Sequence, residues 1–321
     1  MSQTIVLILF FVGFLFLIKG ADFLVDGASS IAKKYNISPI VIGLTIVAFG
    51  TSMPELVVNI FASLSGNSEI AIGNILGSNI ANVLLILGIS SLIYPLTAKR
   101  NTVIKEIPFS LLAALVLFFL ANDKLIDGES ASVVSRSDGM ILIAFFIIFM
   151  YYTIGLTKGD HAPDENEGEI KELSNQKSIL FVLLGLTGLV IGGKWIVDGA
   201  VVLARMVGMS ESVIGLTVVA IGTSLPELAT SAVAAYKKQT DIAIGNVVGS
   251  NIFNIFWILG VSSIIHPLPF SSSSNIDILL TIFASLVMFV GMYIGKRHTL
   301  DRKEGIGMLI IYFSYLAYLL F

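Results

Sequence analysis

Long apolar segments, separated by short stretches of charged and turn-forming residues, follow one another along the whole chain. Each segment has roughly the 20 residues that an α-helix needs to cross the hydrocarbon core of a bilayer. The first lacks the basic start and the small-residue cleavage site of a signal peptide, so it is interpreted as a membrane span. The pattern predicts ten transmembrane helices, at residues 4–30, 39–64, 70–94, 103–121, 138–157, 178–204, 211–236, 241–266, 276–295 and 305–321.

One stretch of the chain occurs twice. Residues 41–96 align without a gap to residues 213–268, and every aligned pair, such as Glu55 and Glu227, lies 172 positions apart. About half of the aligned positions are identical, which indicates an internal duplication. Because five spans per half is an odd number, the second half must be upside down relative to the first. The sequence therefore predicts an all-α polytopic membrane protein with ten transmembrane helices in two inverted five-helix repeats, a pattern typical of transporters.

Composition agrees with a membrane protein and excludes several classes. The chain of 321 residues is 55% hydrophobic and only 13% charged, against about 25% charged in soluble domains. A net charge of −3 gives no basic face for nucleic acid, and the absence of cysteine excludes disulfides and thiolate chemistry. The three histidines, which all lie at or beyond the ends of apolar segments and are expected to be solvated loop residues, are His161, His266 and His298.

The distribution of lysine and arginine predicts the orientation. With the N-terminus outside, fourteen of the 19 basic residues fall in cytoplasmic loops and three in outside loops, as the positive-inside rule requires. The other two, Lys19 and Lys194, lie within spans and do not correspond in the duplication. The predicted organisation is a first repeat at 1–157, an acidic cytoplasmic linker at 158–177 and a second repeat at 178–321. The linker is interpreted as flexible, because a cation sensor would need a spacing that it lacks.

Two carboxylic acids are predicted at mid-membrane depth. Glu55 lies about one turn from the centre of the second span, Asn82 lies at the centre of the third, and the duplication repeats both as Glu227 and Asn254. A buried carboxylate costs about 2.5 kcal/mol or more in the membrane, so such residues usually face a cavity or a partner. Because no basic residue lies at matching depth, the two acids imply either protons or bound cations.

The backbone around each glutamate should break. The motifs GTSMPE and GTSLPE place a proline inside a span, and Pro54 and Pro226 each push on a carbonyl four residues earlier, at Gly50 and Gly222. Carbonyl groups freed in this way need a polar partner or an ion. Hydroxyl groups beside the break are supplied by Thr51, Ser52, Thr223 and Ser224.

A second repeated motif, GNILGSNIAN and GNVVGSNIFN, combines small residues with amides. Its glycines, Gly73, Gly77, Gly245 and Gly249, are interpreted as helix-packing positions. Ser78 and Asn82 are four residues apart, share a helix face and are expected to contact an ion, as are their copies Ser250 and Asn254. The resulting set of oxygen ligands suits a hard cation such as calcium, which takes about 6–8 oxygens. Asp26 and Asp198, in VDGA motifs nearer the span ends, are expected to be capping or structural residues.

These paired motifs in inverted halves resemble the sodium/calcium exchanger family of the cation/calcium antiporter superfamily, in its prokaryotic form. The resemblance covers essentially the whole chain. It implies that Glu55 and Glu227 bind calcium and also serve sodium, that the first and sixth spans slide to switch access, and that asparagine at Asn254, an aspartate in some members, lowers the expectation of potassium co-transport. The further ligands that it implies are the carbonyls of Ala48, Thr51, Ala220 and Thr223, the hydroxyls of Ser52, Ser78, Ser224 and Ser250, and the amides of Asn82 and Asn254.

The expected function is exchange of sodium for calcium by alternating access at this midplane site. A calcium/proton antiporter, in which the same two glutamates carry protons, stays open as an alternative, although the serine-rich motifs favour sodium. A channel is disfavoured because paired carboxylates suit occlusion rather than fast release, and no enzyme constellation is present. The chain is expected to act as a monomer in the cell membrane of a prokaryote. Its partners would be calcium and sodium ions and lipid, with no nucleic acid and no cofactor.

Overall fold

The computed structural model describes residues 3–156, 170–206 and 220–320. Nearly all of this backbone is helical, because a chain in hydrocarbon must satisfy its peptide groups within each segment. The helices and strands of the first copy are α1 Gln3–Lys34, α2 Pro39–Thr51, α3 Met53–Leu64, α4 Ser68–Ile93, β1 Leu96–Thr97, α5 Thr102–Leu120, α6 Asp123–Ile126, β2 Ser132–Val134 and α7 Arg136–Leu156.

The second copy repeats this order with closely matching bounds. Its elements are α8 Asn175–Met206, α9 Ala220–Thr223, α10 Leu225–Tyr236, α11 Thr240–Ile265, β3 Leu268–Phe270, α12 Asn275–Gly291, β4 Thr299–Leu300 and α13 Arg302–Leu320. The bounds of α8, α10 and α11 equal those of α1, α3 and α4 shifted by the same 172 positions. The duplication therefore extends from the sequence to the helix ends.

Seven of the described helices are long and apolar enough to cross a membrane, or eight if the bent pair α2 and α3 forms one span. The protein is thus a polytopic helical membrane protein. The prediction of ten spans is not reached by this count, partly because the first residues of the predicted span 211–236 lie outside the described residues. Most of the predicted linker, residues 158–169 with His161, also lies outside them.

Two short strand pairs correct the prediction of a purely helical fold. β1 pairs antiparallel with β4, and β2 pairs antiparallel with β3. Each pair joins a loop of the first copy to a loop of the second. Extended backbone outside the spans can pair in this way because it meets water rather than hydrocarbon.

The two longest helices, α1 and α8, pack antiparallel along their length. Glycines spaced seven residues apart permit this approach: a Cβ atom on Gly20 would lie 2.8 Å from the backbone nitrogen of Leu189, and one on Gly192 would lie 2.7 Å from the carbonyl oxygen of Gly13. Backbone atoms cannot move aside as a side-chain tip can. The two helices therefore form one closely packed unit.

The remaining helices pack around α4 and α11, which carry the second repeated motif. The last helix of each copy packs on the other copy, α7 on α11 and α13 on α4, while α5 packs on α12. Phe145 of α7 stacks on Phe256 of α11, with ring centroids 5.3 Å apart. These exchanged contacts join the two copies into one bundle, with their repeated motifs at its centre.

Candidate cation site

Both helices that carry the GTS motifs are broken beside the glutamate. α2 ends at Thr51 and α3 starts at Met53 after a bend of 47°, with Ser52 between them at φ −81° and ψ 7°. The second copy repeats the break at Ser224, with φ −85° and ψ 5°. This confirms the break that the prolines predict. It places Glu55 in the first turn of a new helix, where free N–H groups and the helix dipole favour a negative charge.

The helices that carry the second motif are not regular. α4 turns into a π-helix over Ala81–Leu87 and α11 does so over Phe253–Leu259, and these wide turns contain Asn82 and Asn254. Asn82, four residues after Ser78, thus lies at the start of a wide turn, and the expectation that the two share a helix face stays a prediction. Wide turns of this kind are concentrated at functional sites.

Each glutamate receives a serine hydroxyl from both copies. Glu227 Oε1 accepts hydrogen bonds from Ser52 Oγ at 3.0 Å and from Ser250 Oγ at 3.5 Å. By the same pattern, Glu55 Oε1 accepts from Ser78 Oγ at 3.3 Å and from Ser224 Oγ at 3.5 Å. The structure thus brings all four predicted serines to the two predicted acids, and each acid contacts the broken helix of the opposite copy.

Four oxygen atoms at this centre are buried and have no hydrogen-bond partner among the described residues. They are the second carboxylate oxygens of the two glutamates, Glu55 Oε2 and Glu227 Oε2, and the amide oxygens Asn82 Oδ1 and Asn254 Oδ1. The four residues are at most 1% exposed. Neither carboxylate has an ion pair within the described ranges, and the two negative charges repel each other. Leaving such groups unpaired is costly, and a bound cation, or a proton on a carboxylate, would remove that cost.

The amide groups of the two asparagines are fixed across the two copies. Asn82 Nδ2 donates to Asn251 Oδ1 at 3.0 Å, and Asn254 Nδ2 donates to Asn79 Oδ1 at 2.9 Å. Because the nitrogen of each amide is held by this bond, the orientation of its unpaired oxygen is fixed as well. Sequence reasoning assigned no role to Asn79 and Asn251, although both belong to the repeated GSN motif. Their repetition in both copies is the sequence signal that could have identified them.

The two threonines beside the breaks use their hydroxyl groups within the protein. Thr51 Oγ1 donates to Asn246 Oδ1 at 3.0 Å and Thr223 Oγ1 donates to Asn74 Oδ1 at 3.3 Å, both across the two copies. Asn74 and Asn246 were likewise missed. At these two positions the ligands that the resemblance implies are the threonine carbonyls rather than the hydroxyls.

The predicted carbonyl ligands lie at the same breaks. The carbonyl of Ala48 accepts from Thr51 Oγ1 at 3.3 Å and from the backbone nitrogen of Ser52 at 3.0 Å. Ala220 starts α9, one turn before Ser224. Gly50 and Gly222, the positions that the proline argument selected, both face α8: an added Cβ would lie 2.3 Å from a methyl of Leu186 and 2.2 Å from a methyl of Val197.

A cavity of about 700 Å³ lies between α8 and the two breaks. Its lining includes Gly50 and Pro54 from the first copy and Gly222, Thr223 and Pro226 from the second. Since Thr223 belongs to the predicted ligand set, the cavity extends to the edge of the candidate site.

Asp26 and Asp198 form ion pairs rather than helix caps. Asp26 Oδ1 lies 2.6 Å from Lys237 Nζ, at the end of α10, and its Oδ2 lies 2.9 Å from Lys171 Nζ. The Asp26 carboxylate raises the pKa of the Lys171 side chain through this bond. Asp198 is paired within α8, to Lys194 at 3.0 Å. The expectation of a structural role is met for Asp26, which ties α1 to α10.

The site has only two carboxylates. The described residues contain no group of three or more histidine, cysteine, aspartate or glutamate side chains that could hold a metal ion. Any cation at the centre must therefore take part of its coordination from amide, hydroxyl and carbonyl oxygens. Oxygen ligands of this kind suit a hard cation.

A buried oxygen site at helix breaks between two repeated halves is the architecture of a secondary transporter. The chain belongs to the sodium/calcium exchanger protein family, whose profile matches residues 5–155 and 177–321. It is 38% identical to the putative antiporter CaxA of Alkalimonas amylolytica, with 97% of each chain covered, and 33% identical to the sodium/calcium exchanger MaX1 of Methanosarcina acetivorans, with 99% of each covered.

The fold is similar to that of a solved member of the family. The sodium-calcium exchanger NCX_Mj superposes with a TM-score of 0.84 at 32% sequence identity, over 98% of this chain and 99% of the other. The protein is thus a multi-pass membrane antiporter of the exchanger family and not an enzyme.

Proposed function

We propose that the protein exchanges sodium for calcium at a midplane site formed by Glu55, Glu227, Asn82 and Asn254. The observation that carries this proposal is the set of four buried oxygens without partners among the described residues, two from each copy. Two carboxylates balance the charge of one calcium ion or of two sodium ions. The two kinds of ion then compete for the same oxygens.

The proposed ligand set around this centre follows the resemblance stated above. The serine hydroxyls donate to the glutamates, so their oxygen lone pairs can bind sodium. The remaining proposed ligands are the carbonyls of Ala48, Thr51, Ala220 and Thr223. Calcium would take both glutamates together with Thr51 and Thr223.

Competition for these oxygens supplies the coupling. An empty pair of carboxylates is expensive to move past an apolar barrier, so the site should change sides only when cations occupy it. The close packing of α1 on α8 supports movement of these two helices as one unit, with access alternating between the two sides. The proposed topology has ten spans in two inverted repeats, residues 1–157 and 178–321, with the linker inside and the N-terminus outside the cell membrane of a prokaryote. The proposed functional unit is a monomer.

Calcium/proton exchange is the second candidate function, because a buried carboxylate can carry a proton. The observation behind it is that both glutamates are buried without a basic partner among the residues described. The four serine hydroxyls and two amides favour sodium, since a proton needs no such oxygen cage.

A flux measurement separates the two candidates. Purified protein in sodium-loaded liposomes, diluted into sodium-free buffer with radioactive calcium, should take up calcium. This uptake should persist when a protonophore removes any pH difference. Uptake that ignores sodium and follows an imposed proton gradient would replace the proposal with proton exchange.

The glutamates provide the site-specific test. Glu55→Gln and Glu227→Gln should each abolish the sodium-dependent uptake while leaving the protein folded in detergent. Normal calcium uptake by either variant would refute the site.

A further inference from the structure

One lysine lies in the lining of the cavity that extends to the candidate site. Lys194 of α8 and Asp198, one turn later, both border this cavity, as does Thr223. The ammonium of Lys194 lies 3.0 Å from the Asp198 carboxylate, and the two side chains are 70% and 50% exposed. The pair therefore borders the same cavity as Thr223 of the proposed ligand set.

The duplication does not repeat this lysine. The position that aligns with Lys194 is occupied by Asp22 in α1, whereas Asp198 aligns with another aspartate, Asp26. The first copy thus carries two acids where the second carries a lysine and an acid. Helices of identical length form with either residue. Asp22 pairs with Lys237, which ties α1 to α10, whereas Lys194 pairs only with Asp198 of its own helix among the described residues.

We propose that Lys194 is a selectivity residue that lowers the preference for calcium over sodium on the side of the membrane where this cavity opens. The proposal rests on the exchange function proposed above. The positive charge of Lys194 offsets the negative charge of Asp198, so the cavity does not concentrate cations. Without Lys194 the uncompensated Asp198 would attract them.

Charge makes this effect different for the two ions. A fixed charge changes the local concentration of a divalent ion by the square of the factor for a monovalent ion, because the energy is proportional to ionic charge. At a separation of about 10 Å in water, removing one positive charge corresponds to factors of about two for sodium and about four for calcium. Salt should weaken both factors.

The absence of cysteine from the chain allows a sharp test. Lys194→Cys, in sodium-loaded liposomes, is modified with a membrane-impermeant thiol reagent that is either positively or negatively charged. Only protein molecules whose cavity faces the external medium react with the reagent. The difference between the two reagents therefore reports ion binding from that side of the membrane. The half-saturating calcium concentration for uptake is measured, together with the sodium concentration that half-inhibits uptake.

The negative reagent should lower both concentrations relative to the positive reagent, and the calcium ratio should equal the square of the sodium ratio. The control is Lys19→Cys, because Lys19 is 71% exposed and near an aspartate but does not line the cavity. Its two ratios should stay close to one. Lys194→Gln, without any reagent, should lower the half-saturating calcium concentration about fourfold and the half-inhibiting sodium concentration about twofold. Asp198→Asn should raise both concentrations.

Two outcomes would overturn the role of Lys194. One is that the two reagents give the same concentrations, so that both ratios are close to one; the other is that the ratio for calcium equals the ratio for sodium. The loss of sodium-dependent calcium uptake has a different meaning. If the unmutated protein shows none, the proposed exchange function fails; if only the position 194 variants lose it, the lysine is a structural residue and the selectivity proposal fails.

Discussion

The hydroxyl of Ser52 donates a 3.0 Å hydrogen bond to the carboxylate of Glu227, which lies 175 positions further along the chain. The related bond from Ser224 to Glu55 is longer, at 3.5 Å. Each broken helix therefore presents its serine to the acid of the other copy. In the proposed site, an ion between the two acids would contact groups held by both copies, and its binding would therefore couple the two halves of the molecule.

Removing the shorter of these bonds should weaken ion binding. Ser52→Ala loses a donor to a carboxylate, an interaction worth about 1.5–3 kcal/mol, and loses a proposed sodium ligand. We expect the half-saturating sodium concentration to rise at least about tenfold, since 1.4 kcal/mol is a factor of ten. The rise for calcium should be smaller. Sodium-dependent calcium flux measures both.

The control for this prediction is Ser65→Ala, because the Ser65 hydroxyl bonds only to carbonyls of its own helix, Phe61 and Ala62, among the described residues. It should leave both concentrations unchanged. A Ser52→Ala variant with the sodium dependence of the parent would show that the hydroxyl neither orients Glu227 nor binds sodium.

Calcium should stabilise the folded protein through the same oxygens. A ligand at 100 times its dissociation constant adds about 2.7 kcal/mol to the free energy of unfolding. The unfolding temperature in detergent should therefore rise with calcium, and chelation should reverse the rise. Asn254→Ala removes one of the four unpaired oxygens and should reduce this shift.

Asn275→Ala is the matched control, since Asn275 Oδ1 is also buried without a partner among the described residues but lies at the start of α12. Its calcium shift should equal that of the parent. An unreduced shift in Asn254→Ala would remove the amide from the proposed ligand set.

The sequence was sufficient to predict the helical membrane fold and the helix breaks, because these follow from local chemistry. Apolar length defines a span, and Pro54 cannot continue a helix past the residues before it. The duplication, which repeats Glu55 and Asn82 in the second copy, then indicated that these two residues belong to the site. The π turns around Asn82 escaped prediction, since no residue type specifies a π turn in the way that proline specifies a break.

Hydrogen bonds and ion pairs between residues far apart in the chain could not be predicted from the sequence either. Asn79 bonds to Asn254 from 175 positions away, and Lys237 reaches Asp26 from 211 positions away. The sequence shows that such polar groups are buried but not which partner each one meets. The side of α8 on which a cavity opens also depends on how whole helices pack, which local patterns do not record.

The glycine contact between α1 and α8 can be tested directly. Gly20→Ala would place a Cβ 2.8 Å from the backbone nitrogen of Leu189 and 2.9 Å from the carbonyl oxygen of Gly185, so the helices must separate. Overpacking of this kind costs about 1–3 kcal/mol. We expect a lower unfolding temperature and reduced calcium flux.

Gly307→Ala in α13 is the control, because an added Cβ there meets no described atom within 4 Å. Alanine favours a helix over glycine by up to about 1 kcal/mol, so this variant should be as stable as the parent or slightly more stable. If Gly20→Ala behaved in the same way, the α1 and α8 contact would be looser than the structure indicates.

The ion pairs at Lys237 hold α1 against α10 at one end. Lys237 Nζ lies 2.5 Å from Asp22 Oδ1 and 2.6 Å from Asp26 Oδ1, and the Lys237 side chain is only 21% exposed. Asp198, which aligns with Asp26, is paired inside its own helix instead. Among the residues described, the helix pair is thus tied to α10 by these aspartates of α1 and not by Asp198 of α8, so a sliding movement of the pair has to break these bonds.

Lys237→Met should therefore free α1. Loss of a partly buried charged partner costs about 1–3 kcal/mol, so hydrogen exchange in the second half of α1 should quicken. In a kinetic scheme where sliding limits turnover, maximal exchange should also rise, because the tied state is destabilised relative to the barrier. Lys33→Met breaks the exposed pair with Glu172 and should change neither quantity, as exposed pairs contribute little. Unchanged hydrogen exchange in Lys237→Met would show that α1 is held by its packing alone, with the lysine merely neutralising the two aspartates.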